Sequence, residues 1–181
     1  MTNDEKPSLN LYPMAAILYD DGPSFDAFMQ DLIKSLRQNG HVLAGVMQIN
    51  QDRPGSRHCE MLLEDLTTGR TVVISEDRGE DARGCRLNVA ALLEAGIMIR
   101  QSLSSKTDLL LINKFGKIEI EGGGLRDIII DASLSGVPVI IGIPSRNKAA
   151  WDEFCGGEAD WLKPDLGAVQ TWLDKRSSDH G

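Results

Sequence analysis

The sequence predicts an α/β domain, a three-layer, doubly wound, mostly parallel sheet with an inserted β-hairpin. Three observations predict it. Apolar runs alternate with segments of helical periodicity over most of the chain. The runs MAAILY at 14–19, LLLI at 109–112 and VPVIIGI at 137–143 are apolar throughout, as in strands covered on both faces. Two further runs, Glu60 to Leu66 and Arg70 to Ser75, flank Thr67-Thr68-Gly69 and read as an antiparallel hairpin at one edge.

The elements follow in order. Residues 1–13 hold Pro7 and Pro13 among polar residues and read as an N-terminal arm, packed at Leu9 and Leu11. A single domain occupies 14–175, and 176–181 reads as a fraying tail. The first strand, Met14 to Tyr19, breaks at Asp20-Asp21-Gly22-Pro23. Ser24 is the expected cap of a helix from Phe25 to Gln38, whose apolar residues recur at helical spacing. Asn39-Gly40 ends it. Val42 to Ile49 reads as a second strand, and Asn50 to His58 as a mobile loop. Glu76 to Arg86 is a second polar loop. Asn88 caps a helix running to Leu103. After the LLLI strand, Gly122 to Gly124 open a helix from Leu125 to Leu134. Helices around Lys148 to Phe154 and from Leu166 to Asp174, the latter capped by Asp165, enclose a short edge strand at Asp160 to Leu162.

Composition bounds the function. The 181 residues hold 41% hydrophobic and 25% charged residues, the make-up of one globular domain. Nineteen Lys and Arg stand against 27 Asp and Glu, a formal net charge of −8. Nucleic-acid recognition needs a clustered basic face, and anionic membranes need the same, so neither is an expected partner. No apolar run approaches the ~20 residues of a membrane span, and no secretory signal opens the chain. Cys59, Cys85 and Cys155 are an odd, widely spaced set, which predicts reduced thiols and a cytoplasmic protein.

The strand, turn and helix at 14–38 give the chain the element order of a P-loop nucleotide-binding protein. A working phosphate loop reads G-x-x-x-x-G-K-[ST], with glycines that let backbone N–H groups wrap the phosphates and a lysine that neutralises them. Here the turn holds one glycine, Gly22, two carboxylates and no lysine. An ordinary turn with a capping serine is the favoured reading, although helix N–H groups beside Ser24 offer a weak anion site. The stretch Leu109 to Glu119 is the most distinctive in the chain. A buried strand there delivers Asn113, Lys114, Lys117 and Glu119 to the carboxyl edge, where such sheets bind ligands. An Asp at 113 would help hold Mg²⁺, whereas asparagine lacks the charge. Gly122-Gly123-Gly124 permits close approach of an anion, and serves equally as a flexible turn.

Arginines on the two polar loops, Arg57, Arg83 and Arg86, are candidates to clamp an oxyanion from above. His58, Cys59 and Cys85 are candidate soft-metal ligands, though their spacing is not that of a standard zinc site. Cys155 reads as structural.

The order of Arg57-His58-Cys59-Glu60-Met61, Gly84-Cys85-Arg86-Leu87, Asn113-Lys114-Phe115-Gly116-Lys117-Ile118-Glu119 and Gly122-Gly123-Gly124-Leu125-Arg126 resembles an uncharacterised bacterial family, domain of unknown function twenty-four seventy-eight. The resemblance covers about Met14 to Leu173 and implies an association with molybdenum-related genes. That family in turn resembles small P-loop nucleoside-triphosphatases whose corresponding strand ends in Asp-Glu-x-Gly-x-x-Glu. Asn113 stands at the Asp, Lys114 at the first Glu, Gly116 at the Gly and Glu119 at the last Glu. The resemblance therefore implies the P-loop-NTPase-like fold without the acids that hold Mg²⁺.

Three functions follow as expectations. The first is a non-catalytic or vestigial P-loop-like module binding a small anionic ligand, a nucleotide or a molybdate-like oxyanion. Gly22, Ser24, Asn113, Lys114, Lys117 and Gly122 to Gly124 would form its floor, with Arg57, Arg83 and Arg86 closing over it. Its protein partner would be a second copy of itself or a molybdenum-related protein. The second is a Mg²⁺-dependent nucleoside-triphosphatase in which Asp20 or Asp21 helps the metal and Glu119 orients water. The third is a metal or redox carrier built on His58, Cys59 and Cys85.

Overall fold

The computed structural model describes residues 13–52, 54–55, 59–76 and 86–178. It consists of β1 (Met14–Tyr19), α1 (Gly22–Gln38), β2 (Leu43–Asp52), β3 (Cys59–Asp65), β4 (Thr71–Val73), β5 (Ser75–Glu76), β6 (Arg86–Leu87), α2 (Val89–Ser102), β7 (Leu109–Ile112), α3 (Lys117–Ile120), α4 (Arg126–Leu134), β8 (Val139–Pro144), α5 (Lys148–Cys155), β9 (Asp160–Leu162) and α6 (Leu166–Ser178). The proposed arm at Leu9 and Leu11 lies outside the described residues.

Seven strands form one sheet in the order β4-β3-β2-β7-β8-β1-β9. β2, β7, β8, β1 and β9 are parallel, while β3 and β4 pair antiparallel at one edge. Numbered by chain order, the parallel strands lie across the sheet as fifth, first, fourth, third and second. Helices cover both faces, the three-layer architecture that strands apolar on both sides require. On one face Ile17, Met47, Leu111 and Ile140 pack under α1 and α6. On the other, Val46, Ile112, Val139 and Ile141 pack under α2, α4 and α5. The fold is thus α/β, doubly wound, mostly parallel and P-loop-NTPase-like, with the hairpin at its edge.

Two differences from the sequence reading have local causes. The segment read as a loop from Asn50 is strand as far as Asp52, because β2 and β3 pair from Val46 and Asp65 to Asp52 and Cys59. The β3–β4 hairpin turns as predicted. Its buried Asp65 accepts hydrogen bonds from the Thr67 amide at 3.1 Å and the Thr68 hydroxyl at 2.6 Å, and Gly69 takes a positive φ of 71°. Second, the last helix runs to Ser178, beyond the predicted Asp174; Asp165 caps it by accepting from the Ala168 amide at 2.8 Å. Gly45 joins the parallel core to the antiparallel edge. Its φ is 115°, and a Cβ there would overlap the Leu111 carbonyl oxygen of β7.

Candidate functional site

Only Asp20 and Asp21 separate β1 from α1. The helix starts three residues before the predicted Phe25, and its cap is Asp21 rather than Ser24. Pro23 explains the shift, since its fixed φ suits the first helical turn and its missing N–H is needed by no partner there. The Asp21 carboxylate accepts from the Ser24 amide at 2.9 Å. Hydrogen bonds from the Ser24 side chain and amide hold that carboxyl below its ordinary range. The protein's own carboxylate therefore takes one of the amides at the helix start that an anion would use.

Across the carboxyl edge, the segments that follow β1, β7 and β8 meet. The Ser145 hydroxyl donates to the Tyr19 carbonyl at 3.2 Å, and the Asn147 amide donates to the Phe115 carbonyl at 2.8 Å. Asn113, buried at the end of β7, uses both ends of its side chain. Its oxygen accepts from the Gln48 amide at 3.1 Å, and its nitrogen donates to Asp26 Oδ1 at 3.5 Å. An aspartate at this position would lose the donor and set two carboxylates side by side, which is a physical reason for asparagine here. Burial raises the Asp26 pKa above the usual carboxylate range, opposed by the Asn113 hydrogen bond and the charge of Lys114. Lys114 is half-buried, and among the described residues its ammonium makes no ion pair or hydrogen bond.

Tyr19 stacks on Phe25, with ring centroids 4.1 Å apart and planes 1° from parallel. Its phenol is pushed up to about 12, first by burial, then by Asp26, against the pull of Arg146. The folded chain thus holds this proton more tightly than the unfolded chain. That contribution to stability is whole below the ordinary value of 10.0 and is lost as pH rises toward 12. An ultraviolet absorbance titration is expected to show a tyrosinate step near pH 12, absent from Tyr19→Phe. A wild-type titration complete by pH 11 would refute it.

Beyond Asn113 the chain folds into a compact loop around Glu119. This side chain is 5% exposed, and both oxygens are taken: one accepts from the Gly116 amide at 2.9 Å, the other from the Leu125 amide at 3.1 Å. Glu119 therefore staples the loop that carries Lys114 and Lys117. Glu119 spends one acceptor site of each oxygen on the loop's own amides, so a part in orienting water would be added to this structural role. Gly122 and Gly123 donate their amides to Glu119 and Ile118 carbonyls at 3.1 and 2.9 Å, so those N–H groups serve the turn. Gly124, at φ 61°, lies so close that a Cβ would overlap the Glu119 carboxylate. The helix α3 within this loop was not visible in the sequence, because four residues are too few to show a period.

Between this loop and the edge strands lies a cleft of about 570 Å³. Asn113, Lys114 and Lys117 reach it, and Gln48 and Glu121 share its rim. Lys117 stands 3.6 Å from Glu121. Gly22 and Ser24, at the start of α1, are not among its walls. Cys59 opens β3 opposite Asp52, and Arg86 opens β6 opposite Glu76; their side chains are not described. Arg57, His58, Arg83 and Cys85 lie outside the described residues. Among the described residues, no cluster of three His, Cys, Asp or Glu side chains is arranged to hold a metal, and no helix is long and apolar enough to cross a membrane. Tyr19, Asp26 and Gln48 were missed by sequence reasoning. Each looks like core or helix surface until the strand ends converge.

Comparison with known proteins adds lineage. The chain is 32% identical over 165 residues to the molybdenum import ATP-binding protein ModC 2 of Bradyrhizobium diazoefficiens. That match covers 91% of this chain but 18% of the relative, so the chain spans less than a fifth of that protein's length. No solved structure matches the chain. The model of one family, described as Protein of unknown function (DUF2478), matches residues 14–172. With nearly the whole domain matched, and with the Asn113 to Glu119 stretch inside the match, the chain belongs to that family.

Proposed function

We propose that this protein is a non-catalytic, P-loop-like module of the cytoplasm that binds a small anionic ligand at the carboxyl edge of its sheet, beside Lys114. The observation that carries the proposal is the two-residue turn between β1 and α1, with the Asp21 carboxylate on the Ser24 amide of the first helical turn. A phosphate loop needs several more residues and free N–H groups to enclose a triphosphate. Two carboxylates in that turn repel it further. The half-buried Lys114, without an ion pair among the described residues, supplies the attraction that the turn has lost. The name of the ModC relative supports a nucleotide-binding origin and a place in molybdenum handling, with a protein of that system as partner. Nucleotides and molybdate-like oxyanions are the two ligand classes this lineage suggests.

Isothermal calorimetry on the full chain tests the reading, with AMP, ATP, GTP and molybdate as titrants. Binding of at least one is expected. Lys114→Gln should weaken it about 10- to 100-fold, the loss of one charge-assisted hydrogen bond worth ~1.5–3 kcal/mol. No phosphate release from ATP with Mg²⁺ is expected. Turnover, or binding indifferent to Lys114, would overturn the proposal.

A further inference from the structure

The walls of the cleft say what kind of anion it takes. We infer that the ligand is an organic molecule with an apolar, ring-sized body and a single anionic group, a phosphate monoester or a carboxylate, and not a bare oxyanion or a triphosphate. This inference rests on the proposed anion site at Lys114 and narrows it.

Donor supply is the first argument. A bare tetrahedral oxyanion exposes acceptors on every side and must be surrounded by donors once it leaves water. Among the described residues, the cationic donors lie at one end. The Asn113 amide is spent on Gln48 and Asp26. The Gly116 amide is spent on Glu119, and those of Gly122 and Gly123 on the turn. Among the described residues, Lys114 and Lys117 are the cationic donors of the lining, and Lys117 is shared with Glu121.

The second argument is charge. Lys114 and Lys117 face the cleft together with Glu119 and Glu121, so its lining is close to neutral among the described residues. Asp26 adds a negative charge near Lys114. One unpaired ammonium suits one anionic group. A triphosphate would bring several charges to a site where, among the described residues, Lys114 is the one cation without an ion pair.

Shape and polarity give the third. About 570 Å³ falls within the roughly 300–1,000 Å³ of pockets that hold ring-bearing organic ligands. Away from the lysines the wall is Met61, Leu63, Ile74, Leu87, Leu92 and Leu125. Leu63, Ile74, Leu92 and Leu125 are already buried against the sheet and α2, which makes the floor firm, while Met61 and Leu87 are half-buried and free to pack on a guest. An apolar body would remove this surface from water, whereas a small inorganic ion would leave it wet.

Calorimetry on the full chain with a graded set of probes tests the inference: inorganic phosphate, molybdate, phenyl phosphate, 1-naphthyl phosphate, 1-naphthoate, AMP and ATP. Affinity is expected to rise at least tenfold from inorganic phosphate to 1-naphthyl phosphate, with ATP no tighter than AMP. The two naphthyl probes show which anionic group is preferred. Met61→Gln and, as a second variant, Leu87→Gln should weaken 1-naphthyl phosphate at least fivefold while leaving inorganic phosphate unchanged; unfolding midpoints check that both variants fold. Molybdate or phosphate binding as tightly as the aryl phosphates, still dependent on Lys114, would sink this inference and leave the anion site standing. Aryl phosphates binding with no dependence on Lys114 would sink the site itself. Silence from every probe would overturn both.

Discussion

Glu119→Ala is expected to lower the unfolding free energy by about 2–5 kcal/mol, because it strips the acceptor from two backbone amides, each worth ~1–3 kcal/mol when left unmet. The Leu125 amide belongs to a residue 3% exposed, so water reaches it poorly. Glu119→Gln should fall toward the lower end. Its amide oxygen still accepts from one N–H, but its NH₂ group then faces the other donor. Denaturant unfolding followed by circular dichroism measures both. A loss under 1 kcal/mol for Glu119→Ala would show that the loop stands without its staple. The same geometry changes how an activity assay on this residue reads. A fall in function on Glu119→Gln would follow from a displaced Lys114 loop, and identifies a catalytic glutamate only if stability is unchanged.

Gly45→Ala is the second large effect, about 3–5 kcal/mol, arising from two separate penalties. A side chain at φ 115° is strained, at ~1–3 kcal/mol. The new Cβ would also overlap the Leu111 carbonyl in the middle of the sheet, where neither strand can shift without breaking pairing. Gly40→Ala is the control. It shares a positive φ of 83° but meets nothing within 4 Å, so only the strain remains, ~1 kcal/mol. Equal losses at the two positions in urea unfolding would refute the overlap at Leu111.

Those two residues illustrate different degrees of legibility. The strands and long helices are readable because their signal is local. LLLI at β7 spans the predicted residues, and the Asn88 and Asp165 caps act through amides three residues away. Cap identity at α1 was misread by three residues, since Asp21, Pro23 and Ser24 all suit a helix start and composition does not rank them. The placing of Asn113 and Lys114 at a ligand-binding edge followed from the topology of doubly wound sheets, which is also a rule about order along the chain.

The sequence by itself determined the α/β architecture, the hairpin at its edge, a first turn with one glycine, two carboxylates and no lysine, and the presence of lysines after β7. Tertiary structure alone decided what those residues do. Asn113 bridges to partners 65 and 87 residues away, and Gly45 is demanded by a carbonyl on another strand. Glu119 bonds amides close in sequence, but its burial comes from the elements packed over the loop. The cleft is walled by residues of β2, β3, β6, α2 and β7 and of the loop around α3, far apart along the chain. Hydrogen bonds and packing across such separations depend on how strands are ordered in space, and no local period or propensity records that.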